Sequence, residues 1–408
     1  MNRRFVLFCA SILVQLPTIS RAEDWPEFRG PDGQGHSSET GLPLTWSEDE
    51  NVTWKTPIAG LGWSSPAIQG EQIWLTTALD DGQSLRAVCL HRDSGEIVHD
   101  VEVFHQPPPE PVHQKNSHAS PTPLIEGDRV YLHYGAHGTA CISTAGEVLW
   151  RNNELKYAHQ HGPGGSPASF EDLLIICCDG TDVQYVVALE KQSGHIRWKT
   201  TRSGNNTPMA YCTPLIVEAA GRAQAICPGG GQVVSYDPRT GEELWKVRYD
   251  GYSVVPRPVY GDGRVYFSCS YNNAVLYAAR VDGTGDVTDT HVDWSMSRGA
   301  PHNPSTLLVG EELYVVSDRG LLTCLDAAGG EEHWQERLGG DYSASPLYAD
   351  GRIYVTDEAG KTTVVAPGAE YEELAVNQVE GRTLASLAVA DGAIFLRTDT
   401  HLYRIEER

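Results

Sequence analysis

Residues 235–245 read Ser-Tyr-Asp-Pro-Arg-Thr-Gly-Glu-Glu-Leu-Trp, and this pattern returns at several places along the chain. Residues 188–198 and 324–334 repeat it at full length, and residues 141–150 repeat it one residue shorter. In each copy an apolar segment leads into a polar turn that contains glycine, and a second segment ends in tryptophan. A pattern that recurs in this way indicates a repeat architecture.

The complete repeat unit is about 46 residues long, because Pro66 and Leu387 lie 321 residues apart in seven steps. Each unit opens with a short polar segment, continues with an apolar strand and ends with the tryptophan turn. This gives four short strands per unit, with period-2 alternation and turn residues every 8–12 positions. The openings are Ser65-Pro66, Ser120-Pro121, Ser166-Pro167, Thr213-Pro214, Arg257-Pro258, Asn303-Pro304, Ser345-Pro346 and Ser386-Leu387.

Four strands repeated about eight times predict an all-β fold, namely an eight-bladed β-propeller of four-stranded antiparallel blades. Seven blades is the alternative, if one irregular unit is not a true blade. The last unit, 386–404, offers only three strands, whereas residues 51–55 resemble an isolated fourth strand with its tryptophan. We therefore expect the N-terminal strand to complete the last blade and to close the ring without an open sheet edge.

The first 22 residues have the pattern of a secretory signal peptide. Arg3 and Arg4 precede an apolar run over 5–16, and Ser20-Arg21-Ala22 resembles a cleavage site. The run has about 12 residues, whereas a membrane span needs roughly 20. We expect cleavage after Ala22 and a periplasmic or otherwise exported protein without a transmembrane segment in its mature chain. Residues 23–50 would then form an extension across the outside of a propeller over 51–408.

Composition limits the partners. The 408 residues include 54 acidic and 31 basic side chains, which gives a formal net charge of −23. Nucleic acids and anionic membrane surfaces require a cationic face, and the chain has no block of Lys and Arg. We expect a monomer whose partner is an unidentified protein or small-molecule ligand.

The pattern Ala/Ser-x-Asp-x-x-Thr-Gly-x-x-x-Trp, together with the Ser-Pro and Gly-x-x-Val-Tyr segments, resembles the repeat of pyrroloquinoline-quinone (PQQ)-like propellers. The resemblance covers about 50–408, and its relatives are the quinoprotein alcohol dehydrogenases and an outer-membrane assembly scaffold. It implies either oxidation of alcohols or sugars with a quinone and calcium over the pore, or protein binding by the blade loops. The chain has no Cys-x-x-Cys-His haem site, and the family's acidic calcium ligands match no motif in it. No cofactor is firmly predicted, and PQQ with calcium is the alternative.

Eight cysteines remain outside the signal segment, and the adjacent pair Cys177-Cys178 stands apart from the others. Three alternatives are open for this pair. It could form a vicinal disulfide, it could contact a quinone as in some quinoproteins, or it could be two strand residues that face opposite ways.

Candidate site residues gather on one face of the predicted ring, where the loops that enter first strands meet those that join second to third strands. Eight of the 15 histidines fall on this face: His105, His113, His118, His133, His137, His159, His161 and His302. The candidate ligand-binding residues are His118, His159, His161, Arg257, Arg298, His302 and Asn303. No catalytic residue is identified.

Three roles are open for these histidines. They could stabilise long loops, they could bind an anionic or neutral ligand, or His118, His161 and His302 could hold a transition metal at the pore, since imidazole is a common ligand. The sequence predicts an exported binding or scaffold module without catalysis. The alternatives are a quinone-dependent oxidoreductase and a histidine metal site.

Overall fold

The computed structural model describes residues 23–202, 209–269, 271 and 274–408. Its strands form eight four-stranded antiparallel blades arranged in a ring, so the prediction of an eight-bladed propeller is confirmed. We number the blades 1–8 along the chain and letter the strands of each blade A to D, from the innermost to the outermost.

The blades, with strands A to D in order, have the following bounds. Blade 1 comprises Ala67–Gln69, Gln72–Leu79, Ser84–His91 and Ile97–His105, and blade 2 comprises Leu124–Glu126, Arg129–His133, Thr139–Ser143 and Val148–Asn152. Blade 3 comprises Ala168–Phe170, Leu173–Asp179, Gln184–Glu190 and Ile196–Thr201, and blade 4 comprises Leu215–Ala219, Arg222–Gly229, Gln232–Tyr236 and Glu243–Arg248. Blade 5 comprises Val259–Gly261, Arg264–Cys269, Val275–Arg280 and Val292–Met296, and blade 6 comprises Leu307–Val309, Glu312–Val316, Leu321–Asp326 and Glu332–Arg337. Blade 7 comprises Leu347–Ala349, Arg352–Thr356, Lys361–Val365 and Glu373–Gln378, and blade 8 comprises Ala388–Ala390, Ala393–Arg397, His401–Ile405 and, as strand D, Val52–Pro57.

Helices are short in the described part of the chain. One α-helical turn, Thr288–His291, follows the two-residue strand Gly285–Asp286, which adds in parallel to the outside of blade 4. Two 3₁₀ turns, Asp80–Gly82 and Gly135–His137, lie between strands B and C of blades 1 and 2. No helix among the described residues is both long and apolar enough to cross a membrane.

The ring closes through the N-terminal strand, as predicted. Val52–Pro57 pairs antiparallel with His401–Ile405, and Trp54 lies opposite Arg404. The Trp54 ring also packs against Phe395, with 6.1 Å between centroids. Blade 8 is therefore built from both ends of the propeller sequence, and the strand edge that would otherwise be open is paired.

The tryptophan turn joins neighbouring blades. Trp198 of blade 3 lies over the turn of blade 4, where its indole N–H donates to the carbonyl of Pro238 at 2.9 Å. Gly241 is at φ +74°, and a Cβ there would lie 2.5 Å from the indole. Only glycine suits both this backbone conformation and the approach of the ring. Trp54, Trp150 and Trp294 cover Gly95, Gly194 and Gly330 in the same way.

The repeat register is set by a hydroxyl two residues before strand A. Ser166 precedes Ala168 and Thr213 precedes Leu215 by this spacing. In blades 2 and 6 the residues at this position are Thr122 and Ser305, not the Ser120 and Asn303 that the Pro-based alignment selected. The sequence alignment was two residues out of register there because Ser120 and Asn303 are each followed by proline, whereas the start of strand A gives the true register.

Residues 25–37, here called the plug, cross the central channel, although we expected residues 23–50 to run across the outside. Trp25 forms a bridge with Ile68 of blade 1, and Ser37 donates to Tyr348 of blade 7. The second residue of strand A meets the plug in five blades: Ile68, Ile125, Tyr260, Leu308 and Tyr348. The plug therefore satisfies inner-edge backbone groups that the ring leaves unpaired.

Candidate ligand-binding funnel

A funnel of about 1010 Å³ opens on the face where the A strands begin, which is the face that the sequence analysis selected. Residues before strand A in most blades line it, and Phe28 of the plug also contributes to its surface. Its aromatic and sulfur-containing lining residues are Phe28, Trp63, His113, His161, Met209, Tyr211, Tyr252, Tyr271 and His302. Because the plug fills the channel below, the funnel is open at one end.

The narrow part of the funnel carries a ring of seven hydroxyl groups, here called the hydroxyl ring. Each accepts a hydrogen bond of 2.9–3.1 Å from the backbone N–H at the same position in the preceding blade. The pairs, donor first, are Ser65 with Thr122, Thr122 with Ser166, Ser166 with Thr213, Arg257 with Ser305, Ser305 with Ser345, Ser345 with Ser386, and Ser386 with Ser65. These bonds join the blades around the axis.

Blade 5 has Arg257 where the other blades have a hydroxyl. Its guanidinium is buried and donates to the carbonyls of Phe28, at 2.5 Å, and Pro214, at 3.1 Å. It also forms a 3.1 Å ion pair with Glu27 of the plug, and burial raises the pKa of that carboxyl. The blade that interrupts the hydroxyl ring is therefore the one that holds the plug in the channel.

Three of the predicted site residues line the funnel: His161, His302 and Asn303. The ring centroids of His161 and His113 are 5.3 Å apart. The pKa of His161 is lowered, first by burial and second by the charge of His113. The backbone N–H of His302 donates to Asp318 at 2.7 Å, and the Asn303 amide donates to the same carboxylate. Blade 6 thus presents a hydrogen-bonded carboxylate on the funnel wall.

His118 and His159 belong to a histidine cluster between the loops of blades 1, 2 and 3. His137 lies between them, with ring centroids 6.0 Å from His118 and 5.0 Å from His159. One nitrogen of each of these three rings is buried without a hydrogen-bond partner among the residues that the structure describes. Burial is the first cause of the lowered pKa of all three, and it brings that of His137 to about 4.

The two predicted arginines lie apart. Arg257 is buried beneath the funnel, whereas Arg298 is exposed and is not among the lining residues. Whether either contacts a ligand stays a prediction.

The metal hypothesis is not supported by the placement of its ligands. Among the described residues no group of three or more His, Cys, Asp or Glu side chains is arranged to hold a metal ion. His118 lies in the histidine cluster, whereas His161 and His302 lie on the funnel wall. Calcium takes six to eight oxygen ligands, usually with several carboxylates. Among the described lining residues the carboxylates are Asp318 and Asp341, and both accept hydrogen bonds from protein donors. Binding of PQQ with calcium stays a prediction of the resemblance.

Cys177 and Cys178 are free thiols on opposite faces of strand B in blade 3, which is the strand alternative. Cys177 packs towards blade 4 and Cys178 towards blade 2. Neither lines the funnel. The other cysteines of the described chain are also free and buried.

Sequence reasoning missed Phe28 and the role of the hydroxyl ring. The sequence signal for the ring was the Ser or Thr near the start of most units, but the units were aligned on the neighbouring proline instead. The plug has no repeat signal, because each of its contacts is made once.

Comparisons with known proteins agree with this architecture. A family model described as outer membrane protein assembly factor BamB matches residues 136–280 and 229–399, which is more than half of the chain. Tetrathionate hydrolase of Acidithiobacillus ferrooxidans is 26% identical over 187 residues, 42% of this chain and 37% of that protein. Outer membrane protein assembly factor BamB of Burkholderia pseudomallei is 28% identical over 114 residues, 28% of this chain and 29% of that protein.

This chain therefore spans about a third of the length of these curated relatives. Among solved structures, a europium-containing methanol dehydrogenase superposes with a TM-score of 0.69 at 10% identity, covering 93% of this chain and 90% of that one. At this identity the likeness shows the fold.

Proposed function

The chain belongs to the PQQ-like propeller family whose model is described as outer membrane protein assembly factor BamB, and from this membership we propose that it is an exported binding propeller without catalysis. Its ligand, a protein segment or a small molecule, would enter the funnel on the loop-rich face. The observation that carries the proposal is the one-ended funnel, which the chain builds by placing its own plug across the channel.

Several features of the funnel suit recognition. Trp63, Tyr211 and Tyr271 offer aromatic surface, and such rings bury a large apolar area at little entropic cost. Hydroxyl and amide groups between them can fix the orientation of a ligand. A concave site with a few convergent polar groups is the usual form of a binding pocket.

The long loop between blades 1 and 2 gives one wall of this site. Lys115 forms a 2.7 Å ion pair with Glu358 of blade 7, and Arg382 donates to the carbonyl of Gln114. The loop therefore extends from blade 2 towards blades 7 and 8. A wall that is tied at both ends is preorganised, which lowers the entropic cost of binding.

The predicted site residues take different parts in this proposal. His161, His302 and Asn303 would contact the ligand, whereas His118 and His159 would shape the loops behind the wall. Arg257 would act by holding Phe28 in place, and Arg298 would act from the rim.

A matched pair of surfaces tests the proposal. Ligand capture from the exported fraction of the source cells, or from a metabolite extract, is compared for the wild type, Tyr211→Ala in the funnel and Tyr260→Ala on an inner strand below it. We expect the same enriched species with wild type and Tyr260→Ala, and its loss with Tyr211→Ala. Equal capture by all three would place binding outside the funnel and contradict the proposal.

The rival function, a quinone-dependent oxidoreductase, has its own test. Purified protein is incubated with PQQ and calcium and examined for a thermal shift and for dye-linked oxidation of alcohols. We expect neither, because the described lining of the funnel offers two carboxylates, Asp318 and Asp341, whereas calcium takes six to eight oxygen ligands, usually with several carboxylates. Saturable activity that Asp318→Asn abolishes would establish the enzyme and overturn our proposal.

A further inference from the structure

The hydroxyl ring presents donors that the protein leaves unused. Each hydroxyl oxygen accepts one backbone N–H, and among the described residues none of the seven hydroxyls donates in turn. All seven residues are more than nine-tenths buried, and all line the funnel. A hydroxyl has one proton to donate. The seven protons are therefore available at the narrow part of the funnel.

Three buried guanidinium groups lie directly behind this ring. Arg257 contacts Pro214, next to the ring residue Thr213. Arg29 donates at 2.8 Å to the carbonyl of Thr306, next to Ser305. The third, Arg397, donates at 3.1 Å to the carbonyl of Ser64, next to Ser65. Each of the three arginines is 2% exposed.

The carboxylates of the described chain balance these charges only in part. Glu27 pairs with Arg257, and the nearby charge of Asp32 raises the pKa of Arg29 against the lowering by burial, whereas Arg397 has no carboxylate partner among the described residues. Within the described chain, Nε of Arg29 and Arg397 and Nη1 of Arg29 are buried without a hydrogen-bond partner. A buried charge is costly unless it is paired. The part of the ring next to Ser64 therefore has the uncompensated positive charge of Arg397 behind it, although the chain as a whole carries −23.

Of the carboxylates that face the funnel, one is paired with a cation and one keeps its charge. Asp341 pairs with Arg319 at 2.6 Å, whereas Asp318 accepts bonds from the neutral backbone N–H of His302 and the amide of Asn303. Both lie on the wall, in the loops of blades 6 and 7. Within a low-dielectric site, unpaired charges act more strongly than charges in water.

We propose that the narrow part of the funnel binds an oxyanion, that is, a carboxylate, sulfonate or phosphate group of a small ligand. The ring hydroxyls donate to its oxygens, and the guanidinium groups behind them supply the positive potential. This assignment rests on the proposed function, because it names the ligand chemistry of the same funnel. A neutral polyol is the competing ligand class, since hydroxyls also suit it.

The test uses four probes on the full mature chain: sodium succinate, sodium sulfate, sodium phosphate and neutral myo-inositol. Ionic strength is held constant with sodium chloride, and binding is measured by calorimetry and by thermal shift. We expect saturable binding of at least one of the three anions and none of myo-inositol. The three anions distinguish the carboxylate, sulfonate-like and phosphate sources of the shared chemistry.

Variants connect binding to the named groups. Arg397→Gln should weaken anion binding about tenfold, because it removes a buried positive charge behind the ring. Arg397→Lys should retain most of the affinity, and Arg197→Gln, a distant exposed arginine of blade 3, should match the wild type. Because Arg397→Gln could fail to fold, Ser386→Ala provides a second removal, with an expected loss of about fivefold.

The outcomes separate the two proposals. Absence of saturable anion binding, or equal anion affinity in Arg397→Gln and wild type, overturns the oxyanion site. Binding of myo-inositol that Tyr211→Ala abolishes would overturn it while leaving the funnel as the binding site. Binding that only Arg197→Gln reduces would overturn both.

Discussion

The backbone groups that line the central channel find their hydrogen-bond partners differently in its two halves. In the lower half, the inner edges of the A strands have backbone groups that the blades leave unpaired, and the plug pairs with them in five blades. In the upper half, the hydroxyl ring pairs with the backbone of neighbouring blades and leaves the space open. One half is filled by the chain itself, and the other is accessible to a ligand.

In this eight-bladed ring the inner strands leave a central channel, which the plug occupies in its lower half and which stays open above as the funnel. A single residue, Arg257, connects the two halves; it stands in blade 5 at the position where the other blades have a hydroxyl. Its backbone N–H continues the ring to Ser305 at 2.9 Å, whereas its side chain reaches the plug. A repeat protein can thus specialise one blade without changing the fold.

The largest effect is expected from breaking the connection between the halves. Glu27→Ala leaves the buried Arg257 without its carboxylate, and uncompensated buried charges cost about 3–5 kcal/mol. We expect a corresponding loss in the free energy of unfolding, measured by urea denaturation, together with faster proteolysis before residue 40. Glu190→Ala, which removes an exposed partner of Arg197, should leave the free energy of unfolding close to that of the wild type. Equal losses in the two variants would show that the plug is not held by this ion pair.

A smaller effect is expected from opening the upper ring. Ser345→Ala leaves the N–H of Ser305 buried without its acceptor, at a cost of about 1–3 kcal/mol. Thermal unfolding measures this against Ser94→Ala, an exposed turn serine that should change stability by less than about 0.5 kcal/mol. The plug should stay protected in Ser345→Ala, because its contacts lie below. Release of the plug in this variant would contradict the independence of the two halves.

Acid should loosen the upper half through its histidines. Burial lowers the pKa of His133 to about 3 and that of His137 to about 4, below the value of about 6.5 for an unfolded chain. The unfolded chain therefore binds protons first, and the stabilisation is lost as the pH falls from about 6.5 towards those values. Thermal unfolding between pH 7.5 and 4.5 should show a declining midpoint, less steep in His137→Asn. A midpoint that rises as the pH falls would refute the buried neutral cluster.

The fold could be predicted from the sequence because several blades repeat the same turn, as in Asp237 to Trp245, and the residues of the turn themselves determine its conformation. The sequence also predicted closure of the ring by the strand that contains Trp54, because the last unit lacked a fourth strand and an isolated strand preceded the first unit. The sequence alignment of blades 2 and 6 was out of register because the hydrogen bond of the hydroxyl that defines the position is made to another blade. That contact has no local signal.

The site was harder to predict. Connectivity correctly placed His161, His302 and Asn303 on one face, but it did not show that His118 turns into a cluster with His137 and His159. Phe28 and the burial of Arg257 depend on a segment outside the repeat. Its path across the axis is set by long-range pairings, such as Trp25 with Ile68, 43 residues apart, and Ser37 with Tyr348, 311 residues apart. Periodicity carries no information about such contacts.

Hydrogen–deuterium exchange of residues 24–38 tests most directly whether the chain closes its own channel. The amides of Trp25, Gly35 and Ser37 donate to backbone carbonyls, and those of Ile125 and Tyr348 donate to the plug. We predict that all five exchange as slowly as amides of the C strands, while the exposed prolyl loop around Glu110 exchanges at once. Complete exchange of residues 24–38 within seconds, alongside that loop, would mean that the channel is open at both ends and that the funnel has no floor.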